Sequence, residues 1–317
     1  MATLVSVYMP THNRVEWMTR AVASVLGQSH RELELIVIDD GSSDATWERL
    51  QRLAATDARL RIARNETPQG APASRNRALS MARGEFATGL DDDDHFREDR
   101  IALFVEAWQR LGDAGEPISC LYSQQMTVCG GREEIGHRPD RVTWEQLFRN
   151  NHLGNQVYTR TAWLLELGGF DPGMPAWQDL DLFIRLLQQR GPARCVDEPT
   201  YYMNVDDRAD RISKAPRERI EAAFRRLEAK QRHVPAPLRQ ALFTQLFGPY
   251  YAFTVRPRDL FTLLGFGLDR RNLRRMLEST VRELFNLPRA APPRHTARKG
   301  GAAAGERLDA ASAPPRE

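Results

Sequence analysis

Glu85-Phe86-Ala87-Thr88-Gly89-Leu90-Asp91-Asp92-Asp93-Asp94-His95 sets the reading of the whole chain. An apolar run fit for a buried sheet stops at four successive carboxylates, and a polar, helix-compatible segment begins at about Arg97. Four adjacent acids repel one another. Either they face water as a solvated turn or a cation neutralises them, and a strand end is where an open α/β sheet presents ligand-binding groups. Oxygen-only ligands at this density suit Mg²⁺ or Mn²⁺ held partly by a phosphate.

Upstream, Leu4 to Met9 is apolar and β-branched, and Pro10-Thr11-His12-Asn13 ends it with turn chemistry. Trp17, Met18, Ala21, Val22, Val25 and Leu26 then follow at helical spacing. Leu33 to Ile38 reads as a second strand closed by Asp39-Asp40-Gly41-Ser42-Ser43-Asp44, the last residue being placed to cap a helix through Leu53. A short strand at Leu60 to Ala63 and a helix at about Ala73 to Met81 lead into the acidic strand. This alternation implies parallel strands with crossover helices. The carboxyl ends of three strands would then line one crevice, gathering Pro10 to Asn13, Asp40 and Asp91 to Asp94, with Arg75-Asn76 within reach. There is no G-x-G-x-x-G after the first strand and no G-x-x-x-x-G-K-[ST], which disfavours a dinucleotide cofactor and a P-loop NTPase.

Beyond Arg110 the pattern loosens. Ile118 to Val128 reads as strand, Trp144 to Phe148 as a short helix, and Asn155 to Tyr158 as a strand leading into a helix at Thr161 to Leu167. Gly168-Gly169-Phe170-Asp171-Pro172 is a turn before a helix in which Leu180, Phe183, Ile184 and Leu187 share an apolar face. Asp179 sits in the first turn of that helix, a position that by itself calls only for a favourable interaction with the helix dipole.

The 317 residues carry 45 Lys+Arg and 42 Asp+Glu, and the balance is uneven. Residues 1–200 hold 22 basic and 29 acidic side chains, leaving 23 against 13 for the remainder. Cys120, Cys129 and Cys195 form neither an even set nor a CxxC pair, which fits core filling in a reducing compartment. No basic leader precedes the first strand and no window reaches the ~18–20 apolar residues of a membrane span, so a cytoplasmic protein is expected. After Tyr201-Tyr202-Met203-Asn204 come charged helices, with aromatic and aliphatic residues interleaved with Arg256, Arg258, Arg270, Arg271, Arg274 and Arg275. Two readings stand for 206–287: a helical appendage with a solvated basic face, or a surface lying on anionic lipid at the inner face of the cytoplasmic membrane. No nucleic-acid-binding motif accompanies the arginines. Residues 288–317, rich in Ala, Pro, Arg and Gly, are expected to be disordered. His95 beside the acids and His152 are histidines for which a surface or satisfied role is the simpler reading.

Five motifs occur in order: Ser6-Val7-Tyr8-Met9-Pro10-Thr11-His12-Asn13-Arg14, Val37-Ile38-Asp39-Asp40-Gly41-Ser42-Ser43-Asp44, Ser74-Arg75-Asn76, Gly84-Glu85-Phe86 with Leu90-Asp91-Asp92-Asp93-Asp94, and Gly168-Gly169-Phe170-Asp171 with Gln178-Asp179-Leu180-Asp181-Leu182. Together they resemble the family 2 glycosyltransferases over roughly residues 3–205. The resemblance implies an α/β GT-A fold: a Rossmann-like, mainly parallel sheet flanked by helices. The nucleotide-sugar half would be about 1–111 and the acceptor half about 112–205, with 206–287 as a C-terminal helical appendage. It also implies a nucleotide-diphosphate-sugar donor, Mn²⁺ or Mg²⁺, a glycan or lipid-linked acceptor and inversion at the anomeric carbon. Carried over by position, Pro10, Thr11, Asn13, Asp40, Arg75, Asn76, Asp91 and Asp92 look like donor contacts, with Asp40 accepting from the base. Asp91 and Asp93 match the DxD acids, Asp94 is the additional acid as a metal ligand, and Asp179 is similar to the general base.

Gln178 departs from the Glu usual before that base, which reduces the local carboxylate pair to one and makes Asp181 the alternative to Asp179 as the base. There is no Gln-x-x-Arg-Trp of processive synthases, so a one-sugar enzyme of bacterial surface-polysaccharide or lipopolysaccharide synthesis is expected. Rival readings are a haloacid-dehalogenase-type phosphohydrolase, whose motif wants Thr or Val where Asp94-His95 stands, and a degenerate protein that only binds a nucleotide sugar.

Overall fold

In a computed structural model that describes residues 3–130, 132–205, 215–248, 250–251 and 253–284, with side chains to 278, the first half is built on strands buried on both faces. β1 (Val5–Thr11) and β2 (Leu33–Asp39) are buried at every position. Such runs carry no alternation because helices cover both sides of a parallel sheet. β1 pairs in parallel with β2, and β2 in parallel with β3 (Leu60–Arg64). The other edge of β1 pairs in parallel with β4 (Phe86–Gly89).

The connecting helices are α1 (Val15–Leu26), α2 (Thr46–Ala54) and α3 (Ala71–Met81). Val5, Val7 and Met9 of β1 pack with Met18, Val22 and Val25 of α1 on one face of the sheet. Tyr8 of β1 and Ile36 and Ile38 of β2 pack with Ala78 and Leu79 of α3 on the other. Gly84, before β4, has no room for a side chain, since a Cβ there would lie 2.6 Å from the Ser6 nitrogen.

After the acidic turn come β5 (His95–Phe96), α4 (Arg100–Asp113), the long β6 (Cys120–Cys129), β7 (Arg132–Gly136), β8 (Arg141–Val142) and α5 (Trp144–Leu147). β9 (Tyr158–Arg160) pairs antiparallel with β4, joining the second half of the sheet to the first. α6 (Thr161–Glu166), α7 (Gln178–Arg190) and β10 (Ala193–Asn204) complete it. Along the main path the order is β3-β2-β1-β4-β9-β6-β10-β5. The strand expected at Asn155 begins only at Tyr158, which leaves Asn155 and Gln156 in the preceding loop.

The C-terminal helices are α8 (Arg217–Lys230), α9 (Ala236–Thr244), α10 (Pro257–Gly265) and α11 (Arg270–Leu284). They do not form a separate core. Ile220, Phe224, Leu227, Leu242, Leu246, Leu263 and Met276 share one buried cluster with Phe183, Ile184 and Trp177. Gln240 locks the end of α10 and the start of α11: its amide donates to the carbonyls of Leu263 and Gly267, both at 2.9 Å, and accepts from Asn272 at 2.8 Å. The expected tail, 288–317, lies outside the described residues. No helix among the described residues is long and apolar enough to cross a membrane.

Candidate active site

Three turns meet at the carboxyl ends of β1, β2 and β4. The first two are latched to each other. Asn13, held at φ 53°, accepts through Oδ1 from the Ser43 backbone at 2.8 Å, while its own N–H donates to Ser42 Oγ at 2.9 Å. A His12 ring nitrogen lies 2.8 Å from the Asp40 carbonyl. Pro10 is buried in β1 opposite Ile38 and contributes shape to the turn.

The four acids turn inward. Asp92 accepts from Thr11 Oγ1 at 2.8 Å and from Arg14 at 2.7 Å, and burial pushes its carboxyl up to about 6. Thr11 and Asp92, both expected to contact the donor, thus hold each other and tie β1 to the acidic turn. Asp91 accepts from Arg75 at 2.7 Å and Gln156 at 2.9 Å on one oxygen, and from Asn155 at 2.7 Å on the other. Asp93 lies 3.4 Å from Arg14 and remains partly exposed.

Asp94, expected as a metal ligand, is also engaged within the protein. It is buried, accepts from the Tyr201 hydroxyl at 2.7 Å and the Asn204 backbone at 2.9 Å, and is raised well above its ordinary value by burial and by its acidic neighbours. It fastens β10 to the turn. Among the described residues no three His, Cys, Asp or Glu side chains form a metal cage. Carboxylates such as Asp91 and the partly exposed Asp93 are of the kind that would hold Mg²⁺ together with substrate phosphates and water.

Two expected nucleotide contacts are occupied within the protein. Asp40 accepts from Gln69 N at 2.9 Å, Gly70 N at 2.7 Å, Asn65 at 2.6 Å and Ser74 Oγ at 3.0 Å. Burial opposes its charge, but these four donors outweigh burial and hold the carboxyl below the usual range. Asp40 therefore shapes the loop that enters α3. Asn76 is clamped at both ends to the Phe170 backbone, donating at 2.7 Å and accepting at 2.8 Å, so it secures the Gly168-Gly169-Phe170 turn and is not turned to the crevice.

Arg75 faces the crevice as expected. It is buried, with its guanidinium 5.4 Å from the centre of the Phe170 ring as well as on Asp91. Around Asp91 three buried polar atoms have no hydrogen-bond partner: Arg75 Nε, Gln156 Oε1 and Tyr8 Oη. Such atoms call for an explanation, and a bound ligand is one. Gly89 permits this packing, since a Cβ there would fall 1.8 Å from Gln156 Oε1 and 2.5 Å from Tyr8. Gly89→Ala will expel Gln156 from Asp91 and cost about 1–3 kcal/mol of stability as an overpacked core position. Chemical denaturation together with donor titration will show both losses; an unchanged donor affinity would remove Gln156 from the site.

At the opposite wall Trp177, held at φ 60°, turns the chain into α7 and puts Asp179 in its first turn. A backbone in this sparsely populated region persists only where its surroundings enforce it. Here the indole N–H donates to the Tyr251 hydroxyl at 2.8 Å. Asp179 accepts from Asn151 at 3.2 Å, burial pushes it up to about 6, and the charges of Arg75 and Asp91 act on it. Asp181 is fully buried and bound to Arg185 and Lys230, each at 2.9 Å. Asp179, expected as the base, is thus the acid of this pair on which Arg75 and Asp91 act.

Asn151, Asn155, Gln156, Tyr201 and Tyr251 also belong to this site, and the sequence reading passed over them in that role. The signal available was the polar Asn155-Gln156 pair just ahead of an apolar strand. His95 stacks on Tyr202 with ring centres 4.7 Å apart.

A profile described as Glycosyl transferase family 2 matches residues 6–164. The chain is 34% identical over 217 residues to a protein named for colanic acid biosynthesis as glycosyl transferase WcaA, from Escherichia coli K12, covering 68% of this chain and 77% of that one. It is 31% identical over 153 residues to the E. coli UDP-Glc:alpha-D-GlcNAc-diphosphoundecaprenol beta-1,3-glucosyltransferase WfgD, covering 48% of this chain and 57% of that one. The crystal structure of Staphylococcus aureus TarS 1–349 in complex with UDP-GlcNAc superposes with a TM-score of 0.62 at 19% identity, over 90% of this chain and 82% of that one. At that identity the likeness speaks for the fold, a GT-A arrangement.

Proposed function

From a chain that belongs to glycosyl transferase family 2 and is thereby a glycosyltransferase, we infer a one-sugar enzyme that uses a nucleotide-diphosphate sugar in bacterial surface-polysaccharide synthesis. The observation that carries this is the convergence of Asp91, Arg75 and Asp179 in one crevice, with unpartnered buried polar atoms around Asp91. UDP and UDP-GlcNAc in the TarS complexes support the donor class, and WfgD's name supports a lipid-diphosphate-linked acceptor. On this reading, a lipid-linked acceptor is met in the cytoplasm at the inner face of the membrane.

Arg75, desolvated and permanently charged, attracts the diphosphate, and Asp91 holds its guanidinium in place. Mg²⁺ or Mn²⁺, bound by Asp93 with Asp91, would supply positive charge where negative charge grows on the leaving diphosphate. Asp179 takes the acceptor hydroxyl proton as that oxygen bonds to the anomeric carbon. The bond from that carbon to the diphosphate oxygen breaks, and the nucleoside diphosphate departs. A single displacement with no enzyme nucleophile inverts the anomeric centre. The Arg75 and Thr11 contacts to Asp91 and Asp92 have no counterpart in a phosphohydrolase mechanism, which would need one of those acids as nucleophile.

Thermal shift against UDP, GDP and dTDP sugars, with and without Mn²⁺, tests the reading. One donor class will stabilise the protein by about 2–3 kcal/mol at ~100 times its Kd, and only with metal. No shift with any sugar nucleotide would overturn it.

A further inference from the structure

We propose that α10 and the start of α11 form a docking surface for an anionic lipid bilayer. The proposal rests on the lipid-linked-acceptor reading above and adds the surface that would meet the lipid. Of the eight large hydrophobic residues left exposed among the described residues, six fall between positions 250 and 277: Tyr250, Leu260, Phe261, Leu264, Leu268 and Leu277. Phe261 is 76% exposed and Leu268 71%, far beyond what a scattered surface residue needs to explain it. Leu260, Phe261 and Leu264 share one side of α10, while Asp259 and Leu263 on its other side are buried. The apolar stripe is thus the face left over after the helix has packed.

The charge beside it is mostly positive, although Arg274 pairs with Glu278 and Arg258 with Glu221. Positions 256–278 hold six arginines against three acids, and one of those acids, Asp259, is buried on Arg217. Arg270, Arg271 and Arg274 are exposed on α11. The Gln240 and Asn272 amides fix the turn between the two helices, so stripe and arginines are presented together without further ordering.

Three occupants could cover an apolar face. A second copy docking isologously would set this arginine cluster against itself, and an acidic soluble partner gives Phe261 nothing apolar to enter. A bilayer with anionic headgroups offers both the charge and the hydrocarbon. The surface also lies close to the chemistry along the chain, because Tyr251, the partner of Trp177, precedes α10 by only six residues.

Sedimentation of the full chain with phosphatidylcholine vesicles, with and without about one-third phosphatidylglycerol, tests this. The protein will sediment with the anionic vesicles alone, and salt will weaken the binding. Arg270→Gln and Arg271→Gln will each lower the partition roughly fivefold. The double variant Phe261→Ser/Leu264→Ser will lower it more than ~10-fold. All these residues are exposed, so the fold and the donor-induced thermal shift will be unchanged. Wild type that ignores anionic vesicles, or variants that bind as well as wild type, would overturn the proposal. So would a dimer seen by light scattering without vesicles and abolished by the double variant, since a second copy would then be the occupant. Vesicle binding without any donor shift would instead remove the sugar-transfer reading and leave this surface standing. Point variants are required because truncation before α10 would strip Leu263 and Met276 from the shared core.

Discussion

Asp179→Asn will lower sugar transfer by about 10²- to 10⁴-fold, the usual worth of a general base, while leaving donor affinity within about twofold of wild type. Asparagine keeps the shape and can still meet Asn151, but it cannot take a proton. The same change will make the protein more stable above about pH 6. An unfolded Asp titrates near 3.8, whereas burial raises Asp179 to about 6, so the native state binds the proton more tightly. Its contribution is therefore greatest at low pH and is lost as pH rises from about 4 to 6. Removing the charge recovers about 3 kcal/mol near neutral pH. Wild-type kcat/KM will rise with pH through about 6, and that rise will be absent from the variant's residual activity. Isothermal titration with donor, a pH–rate profile and thermal melts at pH 5 and 8 separate these effects. Loss of donor binding in the variant would assign Asp179 to the donor and remove it as base.

Asp93→Asn is expected to cost at least about 10³-fold in turnover and to abolish the metal dependence of donor binding. Asp93 is partly exposed and lies 3.4 Å from Arg14, while the buried Asp92 and Asp94 accept from Thr11 and Arg14 and from Tyr201 and Asn204. The variant should therefore melt within about 0.5 kcal/mol of wild type, as a substitution away from structural features does. Chelation of wild type should reproduce its defect. Donor binding that stays metal-dependent in the variant would place the cation on other residues. Asp94→Asn provides the contrast, because its loss will appear first as destabilisation of the β10 junction.

The parallel half of the fold was legible because β1, β2 and β4 are buried on both faces and so appear as uninterrupted apolar runs ending in turn residues. β10 was not legible. Its middle, Val196-Asp197-Glu198-Pro199, is polar, and its pairing with β6 shifts register on both sides of Pro199. In the site, the sequence order gathers Asp91, Arg75 and Asp179 because their elements are set by the sheet. What it could not supply was direction. Asn76 follows Arg75 by one residue, about 100° around the helix, which turns it to Phe170 and away from Asp91. Asp40 was read as open to a ligand, while the loop 65–74 that encloses it carries no periodicity from which its return to Asp40 could be inferred. Tyr251 lies 74 residues from Trp177, and only the packing of the last helices brings the pair together.

During synthesis, a nascent chain complete through Asn204 already has the acidic turn, Arg75 and Asp179, yet it lacks the phenol that steadies Trp177 and the side chains that roof α7. The backbone that sets Asp179 is thus braced last, once the stretch through Met276 has left the ribosome and closed over the sheet. A product cut short of it would leave the apolar face of α7 open to water.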